Sequence, residues 1–270
     1  MKRFRHYKKD LAIVLACFGS VKQQKRYLEL KKYIESKFEY PVYLSFSSKM
    51  VIKKLSSEGE VYKNLPQTLA DLDMQGYKRI IVSSINLFPT NEHQLLLDTV
   101  KGFREFSLSN IRATKAIFSK TLDSTKILKE IDVKTKESRD VANLYIIHGT
   151  PDFDKRDSSI AYTGEFLRTI DKSNYFCSLE GAFPFSAIKE SLLESLKSLN
   201  KKIQIVPLLL ISGNHYEKDV KEIFEFFKDG IDICKAEPLD GSENFNLLGF
   251  ESIQNLIYKY IKDEITKISY

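Results

Sequence analysis

The sequence predicts an α/β protein made of two similar lobes, each a parallel sheet flanked by helices, with a cleft between them. Three observations lead there. Apolar runs of strand formers alternate with amphipathic stretches, the rhythm of strand–helix–strand units. That rhythm restarts near residue 143, and LAIVLACFGS, YPVYLSFSS and YKRIIVSSINLFPTNEH find counterparts in NLYIIHGT, NYFCSLEG and NKKIQIVPLLLISGNH. The offset is roughly 120–130 residues, a domain-sized period and not that of a solenoid. Finally, three apolar runs of the second half end on potential metal ligands, His148, Glu180 and His215.

In chain order, residues 10–20 (DLAIVLACFGS) read as a buried strand that breaks at Gly19, and residues 23–38 as a helix with Tyr27, Leu30, Ile34 and Phe38 on one side. After Pro41 comes a strand at 42–46, with Ser47 and Ser48 placed to cap a helix at 49–55. A helix at 65–75 stops at Gly76, followed by a strand at 79–87, a loop at 88–93 and a helix at 95–106. Polar residues 110–141 read as a crossover, with a short strand at 116–118 and a helix at 124–131. The second half gives strands at 144–148, 175–179 and 203–210 and helices at 159–170, 187–199 and 220–227. A last strand at 231–235 and an amphipathic helix within 249–270 close the chain. The expected division is an N-terminal lobe at 1–109, a crossover at 110–142 and a C-terminal lobe at 143–270.

Composition bounds the function. With 43% hydrophobic and 29% charged residues the chain can bury a large core. A net charge of +6 suits an acidic small molecule and, with no basic stripe interleaved with aromatics, argues against nucleic acid. Cys17, Cys177 and Cys234 are odd in number and lack a CxxC, so neither a disulfide framework nor a thiolate zinc site is expected, and a reducing, cytoplasmic setting is. The basic start MKRFRHYKKD followed by LAIVLAC imitates a signal peptide, but the apolar run is short for an h-region of roughly 7–15 residues and leads into a strand–glycine turn. No membrane partner is expected, since no apolar run approaches about 20 residues; a homo-oligomer is compatible with the sequence.

The organising stretch is LYIIHGTPD at 144–152. A parallel strand that stops on His148 delivers the imidazole to the carboxyl edge of its sheet, where open α/β folds bind ligands. With Glu180 and His215 at neighbouring strand ends, the set suits a borderline divalent cation such as cobalt, nickel, iron or zinc. The same groups can accept protons. The repeat shares them unequally: His148 aligns with Phe18 and Glu180 with Phe46 or Ser47, while His93 matches His215. Chemistry therefore falls to the second lobe, and the first offers a platform.

The chain resembles the anaerobic sirohydrochlorin cobaltochelatases, class II chelatases grouped with protoporphyrin ferrochelatase. FGS at 18–20, SKMVIKKL at 48–55, INLFPTNEH at 85–93, HGT at 148–150, LEGAFP at 179–184 and PLLLISGNH at 207–215 carry the resemblance. It implies a tetrapyrrole in the cleft, no resident cofactor, a substrate metal held by His148, Glu180 and His215, and His148 also taking a pyrrole proton. Phe18, Gly19, Ser20 and Phe88 are the expected substrate contacts, Phe183 a further stacking candidate, and Lys22, Lys49 and Arg79 candidates for steering the carboxylates. The chain departs from the family pattern in FGS for FGT, GNH for GDH, and PDFDKRD after HGT, which bear on the metal and tetrapyrrole chosen. The expected reaction is insertion of Co²⁺ into sirohydrochlorin. Its rivals are Fe²⁺ insertion for sirohaem, a carrier that binds metal or tetrapyrrole without turnover, and a hydrolase using Ser20 or Thr150, which lack a GxSxG elbow.

Overall fold

Strand β1 (Lys9–Cys17) is buried from Leu11 to Cys17 on both faces, as a central parallel strand must be. It pairs in parallel with β2 (Val42–Phe46) on one side and β3 (Tyr77–Ile85) on the other, and β3 pairs with β4 (Asn110–Ala113). The second sheet repeats this plan: β5 (Val141–Ile147) lies between β6 (Tyr175–Ser178) and β7 (Lys202–Leu208), with β8 (Ile233–Lys235) outermost. Strand orders 2-1-3-4 and 6-5-7-8 are the same order, so the sequence repeat is a repeat of topology. The computed structural model describes residues 5–136, 138, 140–151, 158–211, 213 and 216–268.

The helices follow from spacing and caps. In α1 (Gln24–Glu35) the buried residues Tyr27, Leu30 and Ile34 recur every three or four positions. Ser48 caps α2 (Lys49–Ser57) by accepting from Val51 N–H at 3.3 Å. Asn64 and Gln67 form a reciprocal capping box on α3 (Leu65–Met74), with Pro66 in its first turn. The expected loop at 88–93 is shorter, because α4 (Asn91–Phe106) starts directly after Thr90 and takes His93 into its first turn. The expected strand at 116–118 is a 3₁₀ turn, Ile117–Ser119; the edge strand is the four-residue β4, whose exposed and half-exposed residues hid it among polar neighbours. Beyond it run α5 (Thr121–Thr135), α6 (Ser158–Ile170), α7 (Phe185–Ser198), α8 (Lys221–Phe227) and α9 (Glu251–Ile268).

Two units divide the chain, Met1–Ser119 with Ser252–Tyr270, and Lys120–Glu251. This differs from the expected ranges at both ends: β4 belongs to the first sheet, and α9 returns to the N-terminal unit. Arg112 of β4 donates to Glu264 of α9 at 2.7 Å, and Tyr33 of α1 donates to Asn255 at 2.6 Å. Long-range pairs of this kind leave no trace in local periodicity. None of the three cysteines is in a disulfide. Cys17, the last residue of β1, and Cys177, the last but one of β6, are buried, and burial pushes both thiols up, Cys177 to about 12. No described helix is long and apolar enough to cross a membrane.

A buried polar node anchors the second sheet. Asp132 of α5 accepts from Tyr145 Oη at 2.7 Å and from Asn174 Nδ2 at 2.8 Å, and pairs with Lys136 at 3.1 Å. Asn143 joins it and also donates to Thr135 at 2.9 Å. Asn174 donates further to the Leu167 carbonyl of α6, so one carboxylate fixes α5, α6, β5 and the start of β6. The Asp132→Ala variant leaves the buried Tyr145 and Asn174 donors without their acceptor and takes one of two carboxylates from Lys136, and should lose about 3 kcal/mol in urea unfolding.

Lys136 also donates to Asp171 at 2.6 Å. Burial by itself would raise the Asp171 carboxyl, but the bond from Lys136 and those from Ser173 outweigh it and hold it at about 2. A depressed carboxylate stabilises the fold above its unfolded value of 3.8, and the contribution is lost as pH falls through about 2. Acid unfolding should therefore show a loss between about pH 4 and pH 2 that the Asp171→Asn variant lacks.

Candidate active site

The chain leaves β5 for β6 on one side and then crosses to β7 on the other. The carboxyl end of β5 is thus the switch point of the sheet, the place where open sheets bind ligands. His148 is the first residue past β5. Its Nδ1 lies 3.2 Å from the Gly149 carbonyl oxygen. A carbonyl can only accept, so Nδ1 is the donor of this bond and Nε2 is the ring nitrogen that it leaves to other partners.

Glu180 reaches the same place by continuation of the β5–β6 ladder. Ile147 pairs with Ser178, Leu179 N–H donates to the Ile147 carbonyl at 2.9 Å, and Glu180 N–H donates to the His148 carbonyl at 3.0 Å. The residue after His148 must be glycine: Gly149 has φ +85°, and a Cβ there would lie 1.7 Å from the Glu180 carbonyl oxygen. The Glu180 side is shaped by strain. Phe183 adopts φ +60°, unusual for a bulky residue, while Ser178 N–H donates to its carbonyl at 3.0 Å and Ser178 Oγ to the Ala182 carbonyl at 2.5 Å. Its ring is 48% exposed and edge-on to Phe176, and Glu180 itself is exposed.

The backbones of His148 and Glu180 therefore meet on adjacent loops. The third expected ligand, His215, lies outside the described residues, as does Asn214. Among the described residues no three His, Cys, Asp or Glu side chains form a cluster able to hold a metal.

The same register in the first sheet shows what the repeat substituted. Ser47 N–H donates to the Cys17 carbonyl and Ser48 N–H to the Phe18 carbonyl at 3.1 Å, so Phe18 occupies the place of His148 and Gly19, with φ +97°, that of Gly149. Glu180 corresponds to Ser48, one residue beyond the alignment expected from sequence, and where Ser48 caps α2 at once, Gly181–Pro184 separates Glu180 from α7. Phe18 is 46% exposed, and Ser20 is buried with Oγ accepting from Gln23 N–H at 3.1 Å. Phe88 is 6% exposed and edge-on to Phe118, so its ring belongs to the core. His93 is buried with Nδ1 2.8 Å from Ser84 Oγ, and desolvation lowers its pKa. Arg79, expected to steer substrate, lies toward the start of β3 and chelates Asp10 through contacts of 2.6–3.1 Å. The sequence singled out Gly149 through HGT and Phe183 as a stacking candidate, but their left-handed backbone conformations are visible only in the structure.

A family profile described as cobalt chelatase (CbiK) matches residues 11–265. The chain belongs to the cobalt chelatase family. As a chelatase, it is an enzyme whose substrates are a metal ion and the macrocycle that receives it. The chelatase fold is shared with solved structures: SirB from Bacillus subtilis with Fe³⁺ has a TM-score of 0.67 at 16% identity over 95% of both chains. The sirohydrochlorin chelatase SirB from Bacillus subtilis subspecies spizizenii, in complex with cobalt, has a TM-score of 0.64 at 14% identity, again over 95% of both. A multi-domain Deinococcus radiodurans protein with structural similarity to chelatases reaches 0.57 at 11% identity, over 94% of this chain and 55% of that one.

For this chelatase the glycine constraint is testable. Gly149→Ala should lower the melting temperature well beyond Gly59→Ala, because Gly59 also has a positive φ, +88°, but nothing within 4 Å of a Cβ. The second variant should show only the left-handed penalty of about 1–2 kcal/mol.

Proposed function

We propose that the chain inserts Co²⁺ into sirohydrochlorin, with His148, Glu180 and His215 holding the metal. The observation that supports the reading is the backbone bond from the Glu180 N–H to the His148 carbonyl at 3.0 Å, which joins the two loops that carry these residues at the sheet's switch point. Membership of the cobalt chelatase family supports cobalt, and the solved sirohydrochlorin chelatase SirB in complex with cobalt supports the tetrapyrrole.

The chemistry requires two pyrrole N–H protons to leave as the metal enters. With Nδ1–H directed to the Gly149 carbonyl, Nε2 is the ring nitrogen of His148 left to the substrates. It serves metal and proton in turn: handing the metal to the macrocycle returns the lone pair, which accepts the first proton. The Glu180 carboxylate accepts the second. Both acceptors must come within hydrogen-bond reach of the ring nitrogens, and presenting metal and macrocycle together removes the entropic cost of their encounter. Phe18, Gly19 and Ser20 are assigned to the macrocycle, with the exposed ring of Phe18 offering a stacking face.

Iron insertion for sirohaem is the second reading, favoured by the Fe³⁺ in the related SirB structure. A carrier without turnover has no use for a proton acceptor. Anaerobic mixing with sirohydrochlorin and Co²⁺, Fe²⁺ or Ni²⁺, followed by visible absorption, separates them. Cobalt should give the fastest conversion, and His148→Ala should slow it by roughly 100-fold or more while sparing tetrapyrrole binding. Faster iron insertion would favour the second reading, and tetrapyrrole binding with no conversion above the uncatalysed rate would leave the carrier.

A further inference from the structure

The carboxyl edge of the N-terminal sheet has a concavity of its own. A cavity of about 330 Å³ is lined there by Ala16, Ser45, Lys49, Asn86, Leu95 and Leu96, with the first turn of α3. It sits at the switch point of this sheet, where β1 parts from β2 and β3. Its size is at the lower end of the roughly 300–1,000 Å³ of ligand pockets, room for a side arm or a small acid and not for a macrocycle.

The floor is built of small residues in register. Ala16 pairs with Ser45 on one side and Ser84 on the other, all on the face covered by α3 and α4. Ser84 Oγ is engaged by His93 Nδ1 at 2.8 Å and by Asn86 Nδ2 at 2.9 Å. Ser45 is different. It is 1% exposed, it lines the cavity, and it stands outside the His93 and Asn86 bonds that engage Ser84. Buried hydroxyls are ordinarily hydrogen-bonded, so one that faces a cavity points to an acceptor or donor held inside it.

Charge narrows the ligand. Lys49 opens α2 at the rim and makes no ion pair among the described residues. Residues from the first turns of α2, α3 and α4 all line the cavity, so three positive helix ends meet there. Glu92, also on the wall, is the counter-charge, and it accepts from Thr90 Oγ1 at 3.0 Å. Leu65, Pro66, Leu95 and Leu96 make the rest of the wall apolar.

The geometry points to a receptor for a carboxylate on a short aliphatic stem, with Lys49 and Ser45 taking the head and the leucines the stem. The acetate and propionate arms of sirohydrochlorin have this form, and so does a free short dicarboxylate; the first identification rests on the function proposed above. Two measurements on the full chain, with Ser45→Val and Lys49→Gln as variants, test it: calorimetric titration with glutarate, and chelatase kinetics with sirohydrochlorin and Co²⁺. The expected result is a rise in KM of about tenfold in each variant, the scale of one charge-assisted hydrogen bond, with kcat and melting temperature nearly unchanged. Glutarate binding that both variants weaken, with KM unmoved or with no turnover even in the wild type, keeps the pocket and assigns it to a free acid; absent turnover then counts against the chelatase reading alone. A wild type that does not bind glutarate, together with no KM effect in either variant, overturns the inference.

Discussion

The hydrogen bond from the Glu180 N–H to the His148 carbonyl is the constraint on which the candidate site depends. With the bond from Leu179 N–H to the Ile147 carbonyl it carries backbone pairing past the last residues of β5 and β6, and so ties the two loops together. The close approach needs a residue with no side chain at position 149. It also needs β5 to be held in register beneath it, which the Asp132 node does by bonding Tyr145, Asn143 and Asn174 together in the interior. Sequence, packing and site are thus connected through one short column of backbone.

The duplication shows how one frame can be turned to two tasks. Both halves present a strand, a left-handed glycine and a ladder extension, but at the two key places one half has Phe18 and Ser48 and the other His148 and Glu180. In the first half the chain turns directly into α2, with the serine used as a cap. In the second, four residues, among them the strained Phe183, intervene before α7, and the acidic side chain is left in solvent. A polar group that caps a helix is occupied by it; one displaced from the helix is available for a ligand.

Strands buried on both faces were legible, because β1 from Leu11 and β5 from Leu144 are apolar runs that only a central parallel strand explains, while Asn143 hid the first residues of β5. His148 and Glu180 were legible for the related reason that both stand where such runs stop. The edge strand β4 was not: four residues, two of them half-exposed and one exposed, carry no period. The first turn of α4 was lost because Pro89, Thr90 and Asn91 read as a turn, although Thr90 and Glu92 are also what a helix start prefers. The cavity was illegible, since Ala16, Ser45 and Lys49 meet only through sheet register, and so was the return of α9 to the first unit, which depends on partners such as Arg112 and Glu264 far apart in sequence.

The two buried thiols have a consequence for metal traffic. Cys17 and Cys177 are among the last two residues of their strands, toward the carboxyl edges of the two sheets, the second of which carries the proposed metal ligands, and desolvation raises both thiols and so keeps each protonated at neutral pH. A thiolate there would be a soft trap, binding cobalt or iron more tenaciously than imidazole and carboxylate do and releasing it slowly. Silencing the sulfurs leaves only weaker, fast-exchanging donors in competition for the ion. A catalyst that must let go of its cargo at every cycle is thereby protected from poisoning by its own side chains.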